Sequence, residues 1–296
     1  MSKERPSAYK KPDSLISTEE LAKIIDSPNV RVVEAAFDMP GSKPPLALER
    51  FREAHIPGAI FFDIDAICDK ASSLPHMIPS AEEFGRDVGN LGISSDDRVI
   101  VYDRDGFQFA PRVWWELRTF GHQKVSILNG GLAKWQSEGR RIERGMTKKE
   151  PRTFKAKLLP GSVRSKADVL KILGNKEEQL IDARSKGRFD GSSPETWPGR
   201  RSGHIPGSLN LPYDQIVDPQ TRALLPEGEL RQRFQNAGLD LNKPVVTSCG
   251  SGVTACALAF ALHLLGKQDV AVYDGSWAEW GMPGDTPVAT SRQPQN

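Results

Sequence analysis

Cys249-Gly-Ser-Gly-Val-Thr-Ala255 is the stretch whose residue types could do covalent chemistry. A β-rich run, Lys243 to Ser248, precedes it. An almost wholly apolar run from Ala255 to Leu265, closed by Gly266, follows it. Strand, glycine-bearing loop and buried helix is the simplest reading of the three pieces. Gly250 and Gly252 are expected to take positive φ and turn their N–H groups inward, which makes the loop a nest for negative charge. The helix dipole adds to that field and favours thiolate over thiol. The chemistry expected of Cys249 is nucleophilic attack. An inert buried thiol is the alternative, since most cysteines do no chemistry. A glycine-flanked strand-to-helix turn is a poor place for one.

Metal chemistry is not expected. Cys68, Cys249 and Cys256 form no C-x-x-C pair and no histidine stands at zinc-ligand spacing from them. No cofactor motif is read either. An odd, low cysteine count with no signal peptide in view argues against a disulfide framework.

The elements that must position Cys249 occur twice. His55-Ile-Pro-Gly58 recurs as His204-Ile-Pro-Gly207, and the pieces around it recur in order. A short strand precedes it (31–35; 179–183). A helix ending in glycine follows (81–92; 226–238), then an apolar strand (98–102; 244–248) and a longer helix (111–121; 255–266). A second apolar strand then leads into a Trp-bearing helix (125–135; 270–280). This predicts two homologous α/β domains, each a mainly parallel sheet flanked by helices, at 15–141 and 162–290. Residues 142–161, Lys/Arg-rich and without apolar period, read as a linker. Ligands of such sheets collect at the carboxyl ends of the strands, where Cys249 falls. In the first half Asp103 takes the place of Cys249, so that half is expected to keep the fold without the chemistry.

Other candidates are weighed against structural roles. His55 and His204 sit at equivalent places in both halves, which points to folding. Residues 51–60 read as the entry to a strand. Asp65 and His76 lie on the connection that follows, 61–77, which has no counterpart as rich in polar groups in the second half. They either line a solvated loop or reach towards Cys249. In the second half, Arg184 follows Asp182 closely and can pair with it. Arg188 is then the better carboxylate ligand, with a surface charge as the alternative. Residues 191–202, rich in Pro, Gly and Ser, read as a flexible loop at the same edge.

Two tandem α/β domains with one cysteine loop in the second resemble the rhodanese superfamily, over about residues 17–287. The loop is similar to that of 3-mercaptopyruvate sulfurtransferases, whereas thiosulfate sulfurtransferases typically show Cys-Arg-Lys-Gly-Val-Thr. The resemblance implies a persulfide on Cys249, with the loop residues Gly250, Gly252, Val253 and Thr254 lining the substrate. Arg188 matches the arginine that binds the substrate carboxylate. Ser251, with His76 and Asp65, matches a proposed proton relay. Many members carry a second arginine where this chain has Trp197. Arg200 or Arg201 is expected to replace it by turning to the substrate while Trp197 packs against the pocket wall. The implied substrate is 3-mercaptopyruvate and the implied acceptor a thiol such as thioredoxin, or a sulfur-carrier protein. Thiosulfate sulfur transfer and a relay for tRNA thiolation are the alternatives. A phosphatase would need an arginine six residues after the cysteine, where Ala255 stands.

Composition agrees with this class. The chain has 296 residues, 26% charged and 38% hydrophobic, with a formal net charge of +2. Nothing in it asks for nucleic acid or a membrane surface as partner. The longest apolar run, Ala255–Leu262, is far too short to span a bilayer. The basic first residues, Met1 to Lys11, lack an amphipathic period. A cytoplasmic protein is expected, with the mitochondrion as the alternative.

Overall fold

The computed structural model describes residues 9–104, 106–146, 148–175 and 177–290. Of the basic first stretch, residues 1–8 lie outside it. The chain divides into two compact units, one of residues 12–160 with 217–224, the other holding the rest.

The first unit contains β1 (Leu15–Ile16), α1 (Thr18–Ile24), β2 (Val30–Ala36), α2 (Ala47–Glu53), β3 (Ile60–Asp63), α3 (Ala81–Asn90), β4 (Arg98–Tyr102), α4 (Ala110–Thr119), β5 (Val125–Leu128) and α5 (Gly131–Ser137). Its strands are parallel in the order β1-β5-β4-β2-β3. β2 and β4 are runs of β-branched residues buried on both faces, as parallel strands under helices require. Ser17 caps α1 in a reciprocal capping box with Glu20, as its Ser-x-x-Glu spacing predicts.

The second unit repeats this plan with β6 (Val163–Arg164), α6 (Lys166–Asn175), β7 (Gln179–Asp182), α7 (Lys186–Asp190), β8 (Leu209–Asn210), α8 (Glu227–Asn236), β9 (Val245–Ser248), α9 (Ala255–Leu264), β10 (Val270–Tyr273) and α10 (Ser276–Trp280). The parallel order is β6-β10-β9-β7-β8, position for position that of the first unit. Cys249 therefore leaves the carboxyl end of the central strand. All of β9 and nearly all of α9 are buried, which accounts for the apolar run.

The equivalent histidines are structural in both units. His55 stacks on Phe51 at 4.1 Å and His204 on Phe189 at 3.9 Å, each with Nδ1 2.8 Å from the same residue's carbonyl. The strand expected after residues 51–60 is β3, whose burial alternates and which takes in the first residues of the supposed connection. One feature differs from expectation. The supposed linker belongs to the first unit through residue 160. Its Glu143 bridges to His55, the Arg152 N–H donates to the Gly89 carbonyl (2.8 Å), and Phe154 is buried against Phe84. Irregular backbone pinned along a helix has no periodicity for a sequence to show.

That approach explains Gly89. A Cβ there would overlap the Arg152 carbonyl, whereas one at Gly174 in α6 would meet nothing. Gly89→Ala should cost about 1–3 kcal/mol by overpacking, outweighing its gain in helix propensity. Gly174→Ala should instead stabilise by roughly 0.5–1 kcal/mol. Urea unfolding midpoints moving in opposite directions check this, and equal shifts would remove the packing argument.

Candidate active site

The Cys249 loop hangs from the start of α10. The Cys249 N–H donates to Ser276 Oγ (3.0 Å), and Ser276 Oγ donates to the Tyr273 carbonyl (2.7 Å). The Cys249 and Gly250 carbonyls accept from the Trp277 and Ala278 N–H groups at 2.9 and 2.7 Å. Ser276 holds a left-handed backbone, φ 47°, uncommon for a residue with a side chain. Cys249 is only 1% exposed, and Ser251, Gly252 and Val253 are buried beside it. Cys256, the second residue of α9, donates its thiol to the Gly252 carbonyl (3.2 Å) and so braces the loop.

Gly252 takes positive φ, 79°, as expected, but Gly250 does not. Glycine at 250 answers a different need. A Cβ there would stand 2.8 Å from Arg188 Nη2, so the guanidinium lies directly on the loop backbone.

Arg188 is held there by ion pairs. Its Nη2 and Nε donate to Glu195 Oε2 at 2.7 and 3.2 Å. Glu195 Oε1 accepts from Arg184 Nη1 at 2.7 Å. Arg184, 2% exposed, donates through Nε and Nη2 to Asp182 (2.9 and 2.7 Å) and through Nη2 to the Gly203 carbonyl (2.9 Å). Its guanidinium also stacks 4.3 Å from the Trp277 ring. Burial works against charge on Arg184, yet Asp182 and Glu195 together hold its pKa above the ordinary arginine value.

Arg200 and Arg201 do not turn to the loop as expected. Arg200 donates to the Ala278 and Pro198 carbonyls at 2.9 and 2.8 Å. Arg201 donates to the Thr286 and Trp280 carbonyls at 2.8 and 2.9 Å. Carbonyls left over at the end of α10 take both guanidinium groups, because a short helix cannot satisfy them internally. Trp197 is partly buried in the same loop.

In the first unit the equivalent loop shows what this geometry does to an anion. Asp103 Oδ2 accepts three N–H groups, from Gln108, Phe109 and Ala110, at 2.8, 2.8 and 2.9 Å. The nest is filled by its own carboxylate. Arg104, at the place of Gly250, is drawn back to the buried Glu34 (Nε to Oε1, 2.8 Å). On the connection after β3, His76 Nδ1 stands 2.7 Å from Asp65 Oδ1. His76 is buried against Phe37, with ring centroids 4.3 Å apart, while Asp65 is half exposed. His76 has a left-handed backbone, φ 58°, and its carbonyl accepts from the buried Arg112, which also pairs with Glu116 at 2.7 Å. Cys68, on the same connection, has its pKa raised by burial.

Sequence reasoning missed Glu195, which joins two arginines across an irregular loop, and Ser276. Glu195 meets its arginines across irregular chain, where spacing carries no signal, and Ser276 reaches Cys249 from 27 residues away. Among the described residues no group of three or more His, Cys, Asp or Glu could hold a metal ion, and no helix is long and apolar enough to cross a membrane.

Known proteins show the same plan. The rhodanese-like domain family matches residues 17–138 and again 165–282. A thiosulfate sulfurtransferase of Rattus norvegicus is 45% identical over 90% of this chain and 91% of its own length. A 3-mercaptopyruvate sulfurtransferase of Escherichia coli is 41% identical over 92% and 96%. The crystal structure of the E. coli 3-mercaptopyruvate sulfotransferase SseA superposes with a TM-score of 0.82 at 40% identity, covering 89% of this chain and 98% of that one. With a repeated five-stranded parallel sheet, a cysteine loop on the second and a self-filled nest on the first, this chain belongs to the rhodanese family.

Proposed function

We propose that this chain is a sulfurtransferase that takes sulfur from 3-mercaptopyruvate onto Cys249 and passes it to a thiol acceptor. The observation that carries this reading is the single guanidinium, Arg188, seated on a cysteine loop that bears no cation of its own. One fork suits one carboxylate. Thiosulfate, a dianion, would be held better by loop cations, and positions 250 and 251 are neutral.

The step balances as follows. The Cys249 thiolate attacks the donor sulfur and a S–S bond forms. The donor's C–S bond breaks and its electron pair leaves with pyruvate as the enolate. The proton of the donor thiol ends on the methyl carbon, so pyruvate departs and a persulfide anion remains on Cys249. Inward N–H groups, of the kind that hold Asp103 in the first unit, would hold that anion. A second thiolate, on thioredoxin or a sulfur-carrier protein, then takes the outer sulfur and regenerates the Cys249 thiolate.

Proton delivery to the enolate is assigned to Ser251, His76 and Asp65. The resemblance and the Asp65–His76 pairing support this, because a carboxylate 2.7 Å from Nδ1 orients the imidazole.

Cys249→Ser should transfer no sulfur and gain none by intact mass after incubation with 3-mercaptopyruvate, while keeping its circular dichroism. Cys68→Ser and Cys256→Ser should each retain most activity. Turnover by the Cys249→Ser protein would end the persulfide reading. A relay protein rather than a free enzyme would accept persulfide from a protein donor and turn over 3-mercaptopyruvate poorly.

For the proton relay the two donors provide the control. His76→Ala and Asp65→Asn should lower kcat with 3-mercaptopyruvate by roughly 10²-fold or more. Thiosulfate, whose sulfite leaving group needs no proton, should be affected far less. An equal loss with both donors would make the connection structural.

A further inference from the structure

Glu195 takes no part in the chemistry proposed above, yet it joins the charged groups on this side of the Cys249 loop. Its side chain is 3% exposed, and its two oxygens are divided between two arginines. Oε1 faces Arg184 and Oε2 faces Arg188. Asp182 closes the far side of Arg184. The wall thus holds two cations and two anions and is neutral as a whole. Without Glu195 it would carry one positive charge beside the loop.

The pairing also fixes how Arg188 faces the loop. Glu195 occupies its Nε–Nη2 side with a single oxygen. The Nη1–Nη2 edge is the one Glu195 does not bridge, and Nη2 lies over Gly250. A carboxylate arriving at the loop therefore meets one oriented edge whose charge is largely offset from behind.

We propose that Glu195 sets donor specificity through Arg188: it orients that edge and cancels the wall's net charge, so that a singly charged α-keto acid is accepted and a dianion is held back. This rests on the reading that the loop receives an anionic sulfur donor. The reasoning is electrostatic. Adding one positive charge to the wall acts on a dianion about twice as strongly as on a monoanion at the same distance. A change at Glu195 must therefore alter the ratio between donors and not merely the rate.

The test compares kcat and KM for thiosulfate and 3-mercaptopyruvate in the wild-type chain, Glu195→Gln, Arg188→Gln and the double variant. Glutamine keeps an acceptor for the arginines and removes the charge. The thiosulfate to 3-mercaptopyruvate ratio of kcat/KM should rise about tenfold in Glu195→Gln, mainly through KM, and shrink with added salt. In the Arg188→Gln background no guanidinium draws the donor against this wall, so the same added charge should move the ratio far less. An unmoved ratio in Glu195→Gln, or a shift just as large without Arg188, overturns the proposal. A protein that melts below the assay temperature is replaced by Glu195→Asp, which keeps the charge and withdraws it from Arg188. There KM for 3-mercaptopyruvate should rise several-fold at little changed kcat, and an unchanged KM overturns the proposal equally. Wild-type protein that moves sulfur from neither donor would sink the sulfurtransferase reading itself. Active wild-type protein with an unmoved ratio sinks only the role of Glu195.

Discussion

A buried guanidinium has to be paired on every side, and the second unit is arranged around that requirement at Arg184. Desolvating an arginine costs several kcal/mol, recovered only when carboxylates and carbonyls meet its donors in good geometry. Asp182 at the end of β7, Glu195 on the following loop and the Gly203 carbonyl meet it here, with the Trp277 ring over its face. These partners come from three stretches of chain and include α10, whose first amides carry the Cys249 loop. Removing one carboxylate from such a set typically costs about 3–5 kcal/mol, because a buried charge is left unpaired. The irregular loop 191–203 is therefore held by charge, although its composition reads as flexible.

The two units show how little separates a working loop from a silent one. Both end a central parallel strand and lead into a buried helix of ten residues. In the first, Asp103 places an oxygen where three amides converge. Three N–H donors on one carboxylate oxygen are thereby engaged and no longer offered to an external anion. In the second, the side chain at the same place is a thiol that can carry a sulfur anion. Arg104 and Arg188 differ in the same way. One is drawn into its own unit by a buried glutamate on β2, and the other is held at the loop by a glutamate outside the sheet.

Much of this was legible because it is local. The β-rich run, the glycines, the apolar helix and the duplicated His-Ile-Pro-Gly motif each declare themselves within a dozen residues, and they give the parallel sheets and the position of Cys249. The Asp182–Arg184 pairing was legible for the same reason. What failed depends on contacts between distant, aperiodic segments. Gly250 looks like a turn glycine, but the space at its Cβ is taken by Arg188 from α7. Arg200 and Arg201 look like ligands because they are cations near the right edge, and backbone carbonyls of the α10 segment claim them instead. Glu195 meets its arginines seven and eleven residues back, but across irregular chain where spacing gives no signal. Charge in a sequence says that a partner is needed and is silent on which one.

The placement of Arg188 also constrains how loop charge can vary within this architecture. A side chain at position 250 would meet the tip of Arg188, the far end of a flexible side chain that would have to shift to admit it. Here the cation comes from α7, already paired with Glu195, and the loop keeps glycine. A side chain there would move the Arg188 tip relative to both the loop and Glu195, its partner at 2.7 Å. The charge at the loop is therefore not a property of the two residues after the cysteine alone. It also depends on the paired arginine that stands over them.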